Sequence, residues 1–222
     1  MTDRRTISHA TALGPIHSPS KEELKALREG LPLVAARRLS LAGLLIGKAL
    51  REVPIAPDDE IFLLSDHSAA SNLESFLGSF PAASPFHFQA SIQPGPLEMV
   101  LVARQQPVRS VTPIASAGDA LAQGLSAALL SNAPRVHLLA MEDQGSRLAA
   151  HGLALEEAFV AHLVLDLKAD APLGEVTLAP TAPTAPTAPT EASLRDLHTA
   201  IERRQALHTQ TRDGLALSLL WQ

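Results

Sequence analysis

Residues 111–130, VTPIASAGDALAQGLSAALL, decide the fold class of this 222-residue chain. The stretch opens with β-branched residues, which favour a strand, and changes to four small residues at 115–118. A helical pattern begins at Asp119, so the stretch predicts a strand, a tight elbow and a helix. Many α/β enzymes carry a serine or cysteine nucleophile at such an elbow. The first question about function is therefore whether residues 115–118 supply one.

Composition excludes several chemistries at once. The chain has no cysteine, which rules out disulfides, cysteine-based zinc or iron–sulfur sites and a thiolate nucleophile. The net charge is −5, both signs are mixed along the chain, and there is no run of basic residues with interleaved aromatics. This pattern predicts no nucleic-acid partner.

Neither the N-terminus nor the apolar stretches predict a membrane segment. MTDRRTISHATALGP has arginines but no apolar core after them, so it does not resemble a secretory signal. The longest apolar stretch, LSLAGLLIGKAL, is interrupted by Lys48 and is too short to span a bilayer. Its few basic residues also disfavour a membrane-surface helix. We therefore expect a cytoplasmic protein without stable membrane insertion.

A proline repeat divides the chain. APTAPTAPTAPT, residues 179–190, places proline at every third position, which prevents a helix and favours an extended conformation. The repeat lacks charges and aromatic anchors, so a semi-rigid spacer is favoured over a ligand for a proline-recognition module. The predicted organisation is a main domain at 1–168, a linker at 169–190 and a tail at 191–222. The tail, a helix and a strand, should pack back on the domain because its own core is too small.

Strand-like and helical patterns alternate before the linker. Helices are predicted at SKEELKALREG, LVAARRLSLAGLLIGKALREV, SAASNLESFLGSF, PGPLEMVLVARQQ and GDALAQGLSAALLSN, and strands at EIFLLS, VRSVTPI, RVHLLAM and EEAFVAHLVLDL. This alternation predicts an α/β fold, with a mainly parallel five-stranded sheet flanked by helices. The strand EEAFVAHLVLDL is expected at or next to an edge of the sheet.

Residues 36–168 resemble the N-terminal half of β-ketoacyl synthases in the order and spacing of their elements. The resemblance rests on the small-residue elbow and on an SP-F-F-S segment, made of Ser84, Pro85, Phe86, Phe88 and Ser91. It implies half of a thiolase-like fold, and it is closest to short, divergent, chain-length-factor-like proteins of aryl polyene or type II fatty-acid-like pathways. It implies no cofactor. The family's N-terminal strand is expected to be missing or reduced to RRTISH.

The departures from the family pattern bear on catalysis. Alignment of the family's Cys-x-x-Gly motif on Gly118 places Ala115 at the nucleophile position. A methyl group can neither attack a thioester nor carry an acyl chain. The family's catalytic histidines and lysine belong to a C-terminal half, whereas after residue 168 this chain has only the repeat and the tail. The resemblance therefore implies a non-catalytic subunit that pairs with a catalytic ketosynthase and meets the acyl carrier protein only indirectly.

The resemblance also implies roles for particular side chains. Ketosynthase dimers join through the sheet and the elements around the elbow strand, and the partner helps to shape the acyl tunnel. The implied interface residues are Val111, Ile114, Met99 and Leu101, and the implied residues of the acyl tunnel or the core are Phe86 and Phe88.

Two other functions stay open. Ser116 is an outside candidate for the nucleophile of an acyl hydrolase or transferase, although Ile114 stands where the Gly-x-Ser-x-Gly motif has its first glycine. A small residue that permits close helix–strand approach is the favoured interpretation of Ser116. The other alternative is an interaction domain with no acyl ligand.

Polar clusters elsewhere are interpreted as structural. SDHSAAS, residues 65–71, predicts a turn and a helix cap rather than a triad, because consecutive residues on an extended segment alternate faces. The nine histidines include no i, i+4 pair around a glutamate, so no metal site is predicted. His137 and His162 could meet across neighbouring strands as structural histidines, and Glu142-Asp143 is assigned to the architecture.

Overall fold

The computed structural model describes residues 3–180 and 191–222, and within them the strands form one sheet in the order β3-β2-β4-β5-β1-β6-β8-β7. The strands are β1 (Asp3–Ile16), β2 (Glu60–Ser65), β3 (Ser110–Ala115), β4 (Arg135–Glu142), β5 (Ala158–Asp166), β6 (Gly174–Pro180), β7 (Leu207–Gln210) and β8 (Leu215–Trp221). The helices are α1 (Lys21–Arg28), α2 (Leu33–Ala36), α3 (Leu41–Ala49), α4 (Ala70–Gly78), α5 (Pro85–Ser91), α6 (Gly95–Ala103), α7 (Ala120–Leu130), α8 (Ser146–Ala149) and α9 (Leu194–Arg203).

The sheet is mixed. Strand β2 pairs in parallel with β3 and β4, and the remaining pairings are antiparallel. The α/β class is confirmed, whereas the mainly parallel five-stranded sheet is wrong in both size and direction. Parallel pairs need long crossover connections, usually helical. The described chain makes such crossovers only among β2, β3 and β4.

Two strands differ from their predicted places. Strand β5 lies in the middle of the sheet between β4 and β1, not at an edge, and all of its residues except Asp166 are buried. Burial on both faces explains its nearly continuous apolar run. The expected remnant RRTISH is part of β1, a 14-residue strand between β5 and β6.

The sequence pattern did not predict the full length of strand β1, because a polar residue in it is buried and paired inside the protein. Arg5 is fully buried, and its guanidinium donates to the carbonyl oxygens of Leu165, Ser131 and Ala133 at 3.3, 2.7 and 2.8 Å. Carbonyl acceptors satisfy most of the donors of a side chain that would otherwise be costly to bury.

Helices cover both faces of the sheet. On one face, α7 and α9 pack over an apolar core that includes Leu138 and Leu163. On the other, α1, α2, α3 and α6 pack over a core that includes Leu139 and Val160. Helix α7 lies so close to β2 that a Cβ atom at Gly124 would stand 2.4 Å from Cδ2 of Leu64.

Serine caps set the helix boundaries near the N-terminus. Helix α1 has the predicted capping box, in which Ser20 and Glu23 bond to each other's backbone N–H groups. The single helix predicted over LVAARRLSLAGLLIGKALREV is instead two, α2 and α3. Ser40 ends the connection between them because its side chain accepts from the Gly43 N–H and begins a new helix.

The tail joins the main sheet. Helix α9 and strand β8 fall where the pattern predicts them, and β8 pairs with β6. Strand β6 occupies Gly174–Pro180 within the stretch assigned to the linker, and β7 is a further strand that was not predicted. Residues 181–190 of the proline repeat lie outside the described residues, so the spacer interpretation stays a prediction.

Candidate functional site

The predicted strand, elbow and helix exist as β3, residues 116–119 and α7. Strand β3 is the edge strand of the sheet, and Ala115 is its last residue, with an exposed side chain. Gly118 has φ +91°, a left-handed conformation that glycine adopts without strain. The Ser116 N–H donates to the Ser65 carbonyl at 3.3 Å and ties the elbow to the end of β2.

The hydroxyl of Ser116 is bound to a carboxylate. It donates to Asp119 Oδ1, and the Gln123 amide donates to both Asp119 Oδ1 and Ser116 Oγ, at 2.9 and 3.4 Å. Arg212, from the β7–β8 turn, pairs with Asp119 at 2.7 Å. The hydrogen bond from Ser116 is the main cause that lowers the pKa of Asp119. Within the described residues, no histidine is among the hydrogen-bond partners of Ser116.

Glu142, at the end of β4, organises the turn that follows β2. Its buried carboxylate accepts from the Ser65 hydroxyl at 3.2 Å, from the N–H groups of Asp66 and His67 at 2.5 and 3.2 Å, and from His67 Nδ1 at 3.3 Å. The last contact raises the pKa of His67. Asp66 in turn accepts from the Gly118 N–H at 3.1 Å, and burial raises the pKa of its carboxyl. These carboxylates link the ends of β2, β3 and β4.

Asp143 caps two helices. Its carboxylate accepts from the Ala42 N–H in α3 at 3.3 Å and, in α4, from the Ser71 N–H at 3.3 Å and the Ser71 hydroxyl at 2.5 Å. The side chain is fully buried, and burial raises its pKa. Ser65 Oγ also accepts from the Ser68 N–H at 2.6 Å. The interpretation of these clusters as turns and caps is therefore consistent with the geometry, although Glu142 and Asp143 are buried rather than solvated.

The side chains of β3 implied for an interface point inward. Val111 is half-buried against the core under α3 and α6, and Ile114 is half-buried against the core under α7. Thr112, Pro113 and Ala115 are exposed. Pro113 has no N–H, which reduces the capacity of this edge to pair with another strand.

The remaining implied residues divide between the core and the surface. Leu101 is 7% exposed and belongs to the core, whereas Phe86 and Phe88 are 37% and 51% exposed. Met99 is half-buried, and it lines with Phe86 a groove of about 330 Å³ among α2, α5 and α6. The Arg38 guanidinium lies 5.5 Å from the centre of the Phe86 ring at this groove.

Most of the exposed apolar side chains lie on the helices that line this groove and on the neighbouring α4. Among the described residues, thirteen large hydrophobic side chains are exposed, and nine of them lie on or directly after α2, α4, α5 and α6, which pack side by side. We call this surface the apolar helical face; its residues are Leu33, Val34, Leu73, Leu77, Phe80, Phe86, Phe88, Ile92 and Val102. Apolar patches of this kind on a folded protein mark sites of interaction.

The sequence of helix α6 carries a signal for the apolar helical face. Helix α6, GPLEMVLVA, is apolar almost all round, and such a helix is covered on more than one side in a stable protein. Leu97 and Val100 are buried in the core that α6 shares with α3, whereas Val102 is 76% exposed. The site residues therefore form two groups, the elbow with its carboxylates and the apolar helical face.

Comparison with known proteins identifies the fold. No protein-family model matches the sequence, and no curated protein matches it either. A chain of the complex of the ketosynthase ApeO with its chain length factor ApeC, from Xenorhabdus doucetiae, is similar with a TM-score of 0.66 at 20% identity. The alignment covers 97% of this chain and 98% of that one. A chain of the ishigamide ketosynthase/chain length factor gives a TM-score of 0.61 at 12% identity, with the same coverage.

The fold is thus of the ketosynthase and chain-length-factor kind, and the resemblance stated from the sequence is confirmed at the level of the fold. Coverage of 97% takes in most of residues 191–222, so the tail is part of the shared fold. Among the described residues, no helix has the length and apolar character needed to cross a membrane. The same residues contain no cluster of three or more histidine, aspartate or glutamate side chains able to hold a metal ion.

Proposed function

We propose that this chain is a non-catalytic, chain-length-factor-like subunit that pairs with a catalytic ketosynthase. The observation that carries the proposal is the apolar helical face, which lies on a fold shared with subunits of two ketosynthase–chain length factor complexes. The absence of a nucleophile supports the non-catalytic part. Ala115 ends the elbow strand, the chain has no cysteine, and the Ser116 hydroxyl is engaged by Asp119.

The proposal places the docking surface on helices rather than on the β3 side chains. Val111 and Ile114 pack into the two cores, so changes there test folding more than docking. Phe86 and Met99 line the groove within the apolar helical face, where they would contact the partner and shape the space for an acyl chain. Leu101 would support this surface from beneath, and Phe88 would contact the partner directly.

The pathway and the cellular setting are the finer parts of the proposal. The acyl chain would be a fatty-acid-like or polyketide intermediate, including an aryl polyene, carried by an acyl carrier protein that docks on the catalytic partner. The proposed location is the cytoplasm. The chain is proposed to consist of a main domain, a linker and a tail, and the proline repeat is proposed to act as a spacer within the linker.

Co-expression with a catalytic ketosynthase encoded beside this chain tests the pairing. We expect a stoichiometric complex by size-exclusion chromatography with light scattering. Val102→Asp should raise the Kd at least about tenfold, because a charge buried without a partner at an interface costs more than about 1.4 kcal/mol. Val102 is 76% exposed, so the variant should keep the fold of the free subunit, as circular dichroism would show.

Leu130→Asp is the matched control. Leu130 is 64% exposed at the end of α7, on the other face of the sheet, and its substitution should leave the Kd unchanged. A wild-type chain that stays a monodisperse monomer beside the ketosynthase would contradict the proposal. Equal loss of binding in Val102→Asp and Leu130→Asp would mean that the apolar helical face is not the docking surface.

Intact mass spectrometry separates the proposal from a serine-dependent acyl hydrolase or transferase. After incubation with an acyl thioester, the chain alone should show no added acyl mass, because Ala115 offers no nucleophile and Ser116 has no histidine base among its partners in the described residues. An acyl adduct that disappears in Ser116→Ala would establish the alternative. A complex that forms without any effect on the products of the ketosynthase would favour an interaction domain with no acyl ligand.

A further inference from the structure

A row of acidic and histidine side chains crosses the sheet beneath α3. Asp59 Oδ2 lies 3.0 Å from His137 Nε2, and His137 Nδ1 lies 3.0 Å from His162 Nε2. The ring of His9 follows, with its centre 5.6 Å from that of His162, and Glu52 stands 3.8 Å beyond His9. We call this arrangement the histidine row. It connects β4, β5 and β1, the central strands of the sheet.

The hydrogen bonds determine where the protons lie. Burial lowers the pKa of His137, so its ring is neutral at neutral pH and carries one proton. That proton lies on Nε2, because the Asp59 carboxylate only accepts, and Nδ1 is then an acceptor. His162 must then donate from Nε2 to His137 Nδ1. The other nitrogen of His162, Nδ1, has no side-chain hydrogen-bond partner in the described part of the chain. The hydrogen bonds therefore hold each neutral ring in one tautomer.

The centre of the row is sealed from water. His137 and His162 are both 0% exposed, and they belong to the layer between the sheet and α3, where Leu45 and Ile46 are also buried. Burial is the main cause that lowers the pKa of both rings, well below the ordinary value for His162. The backbone of Ala49, in the last turn of α3, acts in the opposite direction on His162 but does not overcome burial.

The charges around the row act in both directions on its rings, and burial outweighs them. At one end, Arg135 donates to Asp59 at 2.6 to 3.1 Å and compensates that buried carboxylate, and Asp166 acts on His137 from β5. At the other end, Glu52 and Arg204 act on His9 with opposite sign, and burial lowers the pKa of His9. Helix α3 contributes one titratable side chain, the half-buried Lys48. A proton added to His162 would have no carboxylate within its hydrogen-bonding reach.

We propose that the histidine row is a pH-sensitive latch, which holds α3 on the sheet while its rings are neutral and releases α3 when they are protonated. A charged ring must regain water, and water reaches this layer only if α3 moves away from β4 and β5. Helix α3 also packs against α6, which carries part of the apolar helical face, so release would loosen that face as well. The latch does not depend on the proposed function, since it follows from this chain alone.

Hydrogen–deuterium exchange at pH 7.5 and pH 5.5, corrected for intrinsic exchange rates, tests the latch on the full chain. Peptides covering α3 (Leu41–Ala49) should exchange faster at pH 5.5. At pH 5.5, one unit below the ordinary histidine pKa near 6.5, the exchange rate should rise about tenfold for each histidine of the row. This holds for a ring that stays neutral in the closed form and titrates with the ordinary pKa in the open form. Peptides covering α7, on the other face of the sheet, should keep their protection.

His162→Leu should remove at least about tenfold of the pH response of α3, because an apolar side chain has no proton to gain. His151→Leu, at an exposed histidine outside the row, should keep the wild-type response. If His162→Leu does not fold, nitrogen NMR of the wild-type rings decides. The latch would be supported if both rings are neutral at pH 7.5 with the proton on Nε2. It also requires that His162 becomes charged only as α3 opens. Equal opening of α3 and α7, an unchanged response in His162→Leu, or ordinary titration with α3 closed would overturn it.

Discussion

The helices on the two faces of the sheet differ in how much of their apolar surface they bury. Helix α9 buries Leu194, Leu197 and Ile201 and turns charged side chains to solvent, so its outer side needs no protein partner. Helix α6 buries Leu97 and Val100 in the core that it shares with α3 and still exposes Val102. An amphipathic helix needs one neighbouring surface, whereas a helix that is apolar all round needs two. Under the proposed function, the side carrying α6 is the one that a partner would cover.

Truncation of one leucine on each face should give the largest difference. Leu197→Ala should lower the free energy of unfolding by about 2–5 kcal/mol, because the side chain is 0% exposed and leaves a cavity between α9 and the sheet. Leu33→Ala, on the apolar helical face, should stay within about 0.5 kcal/mol of the wild type. Urea denaturation of the isolated chain measures both. Similar losses at the two positions would mean that Leu33 is buried in the free chain.

The same glycine substitution should have opposite signs at two helices. Gly124→Ala in α7 places a Cβ 2.4 Å from the buried Leu64 and should cost about 1–3 kcal/mol through overpacking. Gly78→Ala in α4 meets nothing within 4 Å and should stabilise by about 0.4–1 kcal/mol through the unfolded chain. Melting temperatures and urea midpoints of the pair give the comparison. A stabilising Gly124→Ala would show that α7 can move away from β2.

Two histidines should titrate in opposite directions. The contact with Glu142 raises the pKa of His67, so its contribution to stability is present below pH 6.5 and is lost as the pH rises through its folded pKa. Burial lowers the pKa of His162, so its neutral state costs stability as the pH falls below 6.5. Ring-proton NMR should place the two midpoints on opposite sides of the ordinary value. Glu142→Gln should lower the midpoint of His67 and leave that of His162 in place.

The elbow should give the smallest effects. Arg212 is 72% exposed where it pairs with Asp119, so Arg212→Ala should cost no more than about 1 kcal/mol. Ser116→Ala removes the hydrogen bonds of the hydroxyl with Asp119 and Gln123 and should cost about 0.5–1.5 kcal/mol. Urea unfolding measures both variants. A larger loss in Arg212→Ala would show that the β7–β8 turn is a structural brace for the elbow rather than a surface contact.

Local patterns predicted the elements whose signals lie within a few residues. The capping box at Ser20, the strand at EIFLLS and the strand–elbow–helix around Gly118 are all present. The long helix over residues 33–53 was mispredicted, although Ser40 supplied the signal of a second N-cap. Strand β1 could not be recognised, because Arg5 is polar in the sequence and buried in the protein.

The sequence by itself determined that this chain has no thiolate, that Ala115 ends the elbow strand, and which segments form most of the helices. These properties depend on residue identity and on interactions within a few residues. The tertiary structure alone decided the strand order, the burial of Arg5, the histidine row and the exposure of the apolar helical face. The reason is separation along the chain: Arg5 meets Leu165 across 160 residues, and Asp59 meets His137 across 78. Within the histidine row, only the meeting of His137 with His162 was predicted from the sequence, and it is confirmed. No local pattern records which distant residues will meet, and those meetings decide which polar groups are satisfied and which apolar side chains stay exposed.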